Sequence, residues 1–94
     1  MIILQLEHPV PNFDGWKKAF ESDPIGRQRG GVVRYNILKK IDDPNYVIIN
    51  LEFEKQEQAE NFLELLKQLW GKVEGSVMNR PQARILQLIE TKTY

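Results

Sequence analysis

Apolar and polar residues alternate with a period of two along four stretches of the chain, and apolar residues recur every three or four positions along two others. Strand side chains point to opposite faces in turn, and helical ones return to one face after three or four residues. The two periods therefore read as strands and helices. Residues 2–8 put Ile2, Leu4 and Leu6 on one side and Ile3, Gln5 and Glu7 on the other. Pro9 and Pro11 lack the amide that a ladder needs and end this strand. Asn12 supplies an N-cap side chain, Asp14 suits the positive end of a helix dipole, and Phe13, Trp16, Ala19 and Phe20 make an apolar stripe. Asp23-Pro24 ends that helix, because a residue before proline avoids the α region. A loop carrying Arg27, Arg29 and the Gly30-Gly31 pair follows.

Two runs rich in β-branched and aromatic residues, 32–38 and 46–53, flank Asp42-Asp43-Pro44-Asn45. Proline presets φ there and Asx side chains bond their own backbone, which predicts a hairpin. Val33, Tyr35 and Ile37 separate from Arg34 and Asn36; Val47, Ile49, Leu51 and Phe53 separate from Tyr46, Ile48, Asn50 and Glu52. Directly opposed residues share a face, so matching apolar to apolar requires paired numbers with an even sum. That calls for a loop placing Asp42 opposite Tyr46, or a bulge of equal effect. Residues 56–70 read as a second helix with Ala59, Phe62, Leu63, Leu66, Leu69 and Trp70 in its stripe, Leu65 off it, and Gly71 as its stop. Lys55 is a poor start for it, because its charge opposes the dipole. Val73, Val77 and Met78 are placed in a short helical turn, and a last strand is expected over 83–92.

The order βαββαβ, read as one domain over residues 1–94, predicts an α+β sandwich of the ferredoxin-like kind, with both helices on one sheet face. The other face carries Gln5, Glu7, Arg34, Asn36, Asn50, Glu52 and Gln87 among Ile3, Val32, Ile48, Ile85 and Ile89. That surface is too apolar for open water and too polar for a dry core, and a second copy of the same face would suit it. Buried charges need partners, so Arg34 is expected to meet Glu52 or Glu7. A homodimer follows, with the end of the last strand reaching the partner's sheet edge.

Composition narrows the functions. Thirteen Lys and Arg balance thirteen Asp and Glu, so the basic excess of a nucleic-acid binder is missing. RNA-recognition domains share the element order but need exposed sheet aromatics in a glycine-containing motif, and residues 46–53 hold no glycine. With no cysteine and one histidine, the usual metal ligand sets cannot be assembled, and no glycine-rich phosphate loop or dinucleotide fingerprint occurs. No apolar run reaches the ~20 residues of a membrane helix. The reading is cytoplasmic, without metal, cofactor, nucleic acid or membrane.

The run His8-Pro9-Val10-Pro11-Asn12-Phe13-Asp14-Gly15-Trp16-Lys17-Lys18-Ala19-Phe20, with Arg34, Asp42-Asp43-Pro44-Asn45, Glu52-Phe53 and Ala59…Phe62, resembles the antibiotic-biosynthesis-monooxygenase-like proteins. These are small dimeric α/β-barrel proteins. The resemblance implies a homodimer whose sheets stack into a barrel, and a ligand site between each sheet and its helices. It leaves the chemistry open, since that superfamily holds monooxygenases, isomerases, haem proteins and members with no known activity. Haem degradation there uses a late histidine, and residues 72–84 have none.

His8, the single histidine, shares the parity of Leu4 and Leu6 and should lean toward the helices near Trp16. It is the best catalytic candidate, as a base or a hydrogen-bond partner, against the simpler reading of a strand-end histidine bonded to a loop carbonyl. Trp16, Phe20, Tyr35, Phe53, Phe62 and Trp70 point into the same layer, as a lining for a flat aromatic ligand or as packed core. Glu7, Arg34, Asn36, Asn50, Glu52 and Gln87 form a polar network inside the barrel, read as structural ahead of catalytic. Two functions stay open. One is a cofactor-independent monooxygenase- or cyclase-like enzyme on a small aromatic or polyketide-like molecule; the other is a non-catalytic dimeric binding module.

Overall fold

A computed structural model describes residues 1–73 and 81–94. Its elements run β1 (Ile2–Pro9), α1 (Phe13–Glu21), β2 (Arg34–Lys40), β3 (Asp43–Phe53), α2 (Gln56–Val73) and β4 (Gln82–Gln87). The strands form one antiparallel sheet in the order β2-β3-β1-β4, with both helices on one side. This is the ferredoxin-like α+β fold.

The even positions of β1 meet the odd positions of β3, pairing Leu4 with Leu51, Leu6 with Ile49 and His8 with Val47. Leu4, Leu6, Val47, Ile49, Leu51 and Phe53 are all buried beneath the helices, joined by Val10, Trp16, Ala59 and Phe62. Each such side chain removed from water contributes roughly 1.5–3 kcal/mol, which makes this layer the main source of stability. Between β2 and β3 the pairs Arg34–Glu52, Asn36–Asn50 and Ile37–Ile49 have the even sum that the alternation demands.

The route to that register is the bulge and not the loop placing Asp42 opposite Tyr46, and the turn comes earlier than expected. The chain turns at Ile41-Asp42, Lys40 pairs with Asp43, and the ladder shifts between Lys39 and Lys40 so that Lys39 faces Val47. Pro44 and Asn45 thus belong to an irregular start of β3, where Asn45 N–H bonds the Asp43 carboxylate at 3.1 Å. The Asx chemistry is real, but it shapes a bulge instead of the reversal.

Asn12 caps α1, its side chain accepting from Gly15 N–H at 2.8 Å. The helix closes at Ser22, and Asp23 takes a left-handed φ of 51°, a conformation Asp tolerates better than most residues. Lys55 N–H is satisfied by Gln58 Oε1 at 3.1 Å, half of a capping box that offsets the unhelpful charge before α2. Gly71 does not stop α2, which runs to Val73. The helical turn expected at Val77 and Met78 lies outside the described residues.

A Cβ on Gly30 would sit 2.6 Å from the Phe62 ring, so the backbone passes over that ring only because the side chain is absent. Gly31 then takes φ +103°, open mainly to glycine, and hands the chain to β2. Together they press the 22–31 loop against α2.

The last strand needs correction. β4 ends at Gln87, short of residue 92, and Ile89 beyond it is exposed. Its faces are also the reverse of those expected. Ile85 pairs with Leu4 and packs on the core, and Gln87 pairs with Ile2 on that same side. Arg84 and Leu86 occupy the open face instead, opposite Gln5 and Ile3. Val32, expected on the open face, likewise packs against the core.

Candidate functional site

Between the sheet and the two helices lies a cavity of about 300 Å³, at the lower end of the ligand-pocket range of roughly 300–1,000 Å³. Its floor is His8 and Leu51, α1 contributes Trp16 and Phe20, α2 contributes Phe62, Leu66 and Trp70, and the loop adds Pro24, Ile25 and Arg27. The wall is almost wholly apolar.

His8 is the polar group of the floor. Its place follows from strand parity, and only 3% of its surface is accessible. One imidazole nitrogen, Nδ1, lies 3.4 Å from the Pro9 carbonyl oxygen, to which it can only donate. That bond selects the Nδ1–H tautomer and leaves the Nε2 lone pair free of any hydrogen bond among the described residues. Burial pushes the His8 pKa below its ordinary value, and the Pro9 carbonyl opposes this weakly. The ring is therefore neutral at neutral pH, and Nε2 is an acceptor or a base in a low-dielectric hollow.

The aromatics form an arc from His8 outward. Trp16 meets the imidazole edge-on at 6.0 Å, and Phe20 stacks on Trp16 at 5.2 Å. Arg27 lies over the Phe20 ring at 4.0 Å and faces Tyr35 at 5.0 Å.

Of the six expected ligand-binding residues, His8, Trp16, Phe62 and Trp70 line this cavity. Phe53 does not: it is fully buried, packed against Phe62 at 5.7 Å as core. Tyr35 also lies outside it and is 41% exposed. The helices lie over β1, β3 and β4, and from the edge strand β2 Tyr35 reaches only the rim of α1, where its ring meets Phe20 edge-on at 5.0 Å. Phe20, expected in the same aromatic layer, also lines the cavity, whereas Ile25 and Arg27 were not anticipated as lining. Phe20 and the Leu residues of α2 were legible as an apolar stripe, whereas Arg27 sits on an irregular loop without periodicity.

On the open face a polar row crosses all four strands. Arg84 donates to Gln5 Oε1, Gln5 Nε2 donates to Asn50 Oδ1 at 2.9 Å, and Asn50 Nδ2 donates to Asn36 Oδ1 at 3.0 Å. These four residues are direct neighbours in the ladder, so the backbone register lines them up. Arg84 also pairs with Glu7, and this hydrogen bond holds the Glu7 carboxyl below the usual carboxylate range. Burial, followed by the Glu7 charge, pushes the Tyr46 hydroxyl up. Arg34 meets Glu52 through Nε at 3.1 Å and Nη2 at 3.3 Å. The expected network of Glu7, Arg34, Asn36, Asn50 and Glu52 thus shares one face, whereas Gln87 lies on the other and Arg84 stands in its place. Residue 84 was legible as charged, but the aliphatic residues on both sides of β4 gave no marker of its facing.

No cluster of three or more His, Asp or Glu side chains suited to a metal occurs among the described residues. Nor is any helix among them long and apolar enough to cross a membrane.

No family model matches the sequence, and no curated protein matches it. Solved structures do. A candidate antibiotic biosynthesis monooxygenase from Nitrosomonas europaea is 19% identical over 96% of this chain and 100% of its own, with a TM-score of 0.71. SnoaB, a cofactor-independent oxygenase from Streptomyces nogalater, is 13% identical over 96% of this chain and 94% of its own, with a TM-score of 0.74. A dimeric ferredoxin-like protein from an uncultured marine organism is 9% identical over the full length of both chains, with a TM-score of 0.66. The chain has the fold of the antibiotic-biosynthesis-monooxygenase-like and dimeric ferredoxin-like proteins.

Proposed function

We propose that the protein binds a small planar ring molecule in the cavity between its sheet and helices, with one polar group of that molecule hydrogen-bonded to His8 Nε2. The observation that carries this reading is a neutral imidazole on the floor of an otherwise apolar, aromatic-walled hollow. Such a site holds a ring by area and orients it by a single contact.

The same imidazole suits a cofactor-independent oxygenation, as carried out by the fold neighbour from Streptomyces nogalater. Nε2 takes a proton from an acidic ring CH₂ flanked by a conjugated carbonyl system, and the resulting carbanion is electron-rich enough to reduce O₂. One oxygen atom ends on the ring carbon as a new carbonyl, and the other leaves as water with the two hydrogens. Trp16 and Trp70 keep bulk water from the anion. The second reading, a binding module without catalysis, draws on a different observation. Asp23 accepts from the Arg27 backbone N–H and Arg27 Nη1 donates to the Phe20 carbonyl, and neither bonds His8, which has no acid–base partner among the described residues.

Oxygen uptake with anthrone, a planar ketone with an acidic ring CH₂, separates the two. The enzyme reading expects uptake by the wild type with the chelator EDTA present, and its loss in His8→Gln. Binding of anthrone without uptake favours the module. Absence of binding removes the proposal altogether.

We further propose that two copies join through their open sheet faces. Leu38, Leu86 and Leu88 are exposed around the polar row, a mixed surface that an identical face can cover. The segment after Gln87, with Ile89 and Tyr94 exposed, would reach the partner.

A further inference from the structure

Arg27 borders two spaces at once. It lines the apolar cavity together with His8 and Trp16, and it also lines a broad open groove with Gln28, Arg34, Tyr35, Lys55 and Gln58. The guanidinium is partly buried, with 17% of its side chain exposed. One nitrogen, Nη1, donates to the Phe20 carbonyl at 2.8 Å and stands 3.6 Å from Asp23 Oδ1, too far for a hydrogen bond. Asp23 Oδ1 is instead taken by the Arg27 backbone N–H at 2.8 Å. Nε and Nη2 have no partner among the described residues. A guanidinium carries five N–H donors in a planar fork, and the unmatched ones here keep some exposure, open to an acceptor. Its flat face is meanwhile fixed over Phe20, so the fork is aimed and not free to wander.

Resting on the ligand reading above, we infer that the molecule bound here is anionic: its ring fills the cavity toward His8 and its carboxylate meets Arg27 at the mouth. The fork of Arg27 suits a carboxylate bidentately, and the low polarity of the wall strengthens the contact. Asp23 keeps the guanidinium in place before the ligand arrives and opposes the ligand's charge mildly afterwards. Its left-handed backbone, at φ 51°, fixes the carboxylate beside the loop amide rather than over the fork. Glu54 and Lys55 also border the groove, and as acid and base of opposite sign they leave the preference to Arg27.

The test compares 2-naphthoate with its neutral isostere 2-naphthamide, read by the two indole N–H resonances in a ¹H–¹⁵N spectrum. The chain has two tryptophans and both line the cavity, so these signals report occupancy directly. The wild type should bind naphthoate at least about tenfold more tightly than naphthamide, the least a charged hydrogen-bond pair gives. Arg27→Gln should erase the preference by weakening naphthoate alone, and Asp23→Asn, which keeps the left-handed backbone, should increase it. Equal affinity of the wild type for both probes overturns the inference while leaving the cavity reading intact. If neither probe moves the indole signals, the cavity reading itself falls, and the anion preference with it. Should Arg27→Gln lose its fold, the wild-type ratio and Arg27→Lys still decide, since lysine keeps charge without the fork.

Discussion

The two faces of this sheet are built from the same strands, one residue apart, and they solve opposite problems. On the helix-covered face, Leu4, Leu6, Ile49, Leu51 and Phe53 are packed dry, and His8, the one buried polar side chain among the described residues, is neutral and borders a cavity. On the other face, Gln5, Asn50, Asn36 and Arg84 bond one another in a line, with aliphatic residues on either side. The first face tolerates one unshared lone pair, because the cavity leaves it open. The second leaves few polar groups unpaired within its row, as a surface must if another protein face is to cover it. Strand parity thus separates the proposed binding site from the proposed assembly surface within a single layer.

The largest contrast should come from deletion in the dry layer. Phe53→Ala is expected to cost about 3–5 kcal/mol in urea unfolding, as for other buried Phe truncations. A loss below about 1 kcal/mol would mean that the layer is loosely packed. Next comes pH. Unfolded His8 takes up a proton near its ordinary pKa, whereas the buried ring resists, so the unfolded chain binds more protons as pH falls. Stability should therefore be highest above pH 7 and decline from about pH 6.5 downward, by at most about 1.4 kcal/mol per unit, until the folded pKa is passed. In His8→Gln this decline should vanish, and an unchanged profile would place the titration elsewhere. The open face should answer differently. Asn50→Ala breaks the polar row at its centre, yet should shift protomer stability by only about 1 kcal/mol. Its main effect should be a weaker dimer by sedimentation velocity. Arg34→Ala should be the mildest, at most about 1 kcal/mol, because Arg34 is largely exposed in the protomer.

Much of this architecture was legible in the sequence because the pattern was redundant. β1 and β3 each carry a run of apolar residues on one parity, so their facing, and the inward turn of His8, followed directly. β4 was misread because Leu86 and Leu88 are as apolar as Ile85, and a lone glutamine at residue 87 gave false polarity to the wrong side. The hairpin turn was displaced because Pro44 and its Asx neighbours serve a bulge as well as they serve a turn. Of the site, His8, Trp16, Phe62 and Trp70 came from periodic elements. Arg27 did not, since its position depends on a loop set by Asp23, Gly30 and Gly31, whose path no period encodes.

The division of labour between the faces is open to one measurement: native mass spectrometry of the chain equilibrated with 2-naphthoate. The account predicts a species of twice the 11.0 kDa chain mass carrying two naphthoates, with His8→Ala retaining the dimer and losing the adducts. A dimer that never takes up naphthoate would contradict the role given to the helix-covered face, and a monomer at micromolar concentration would contradict the role given to the open one.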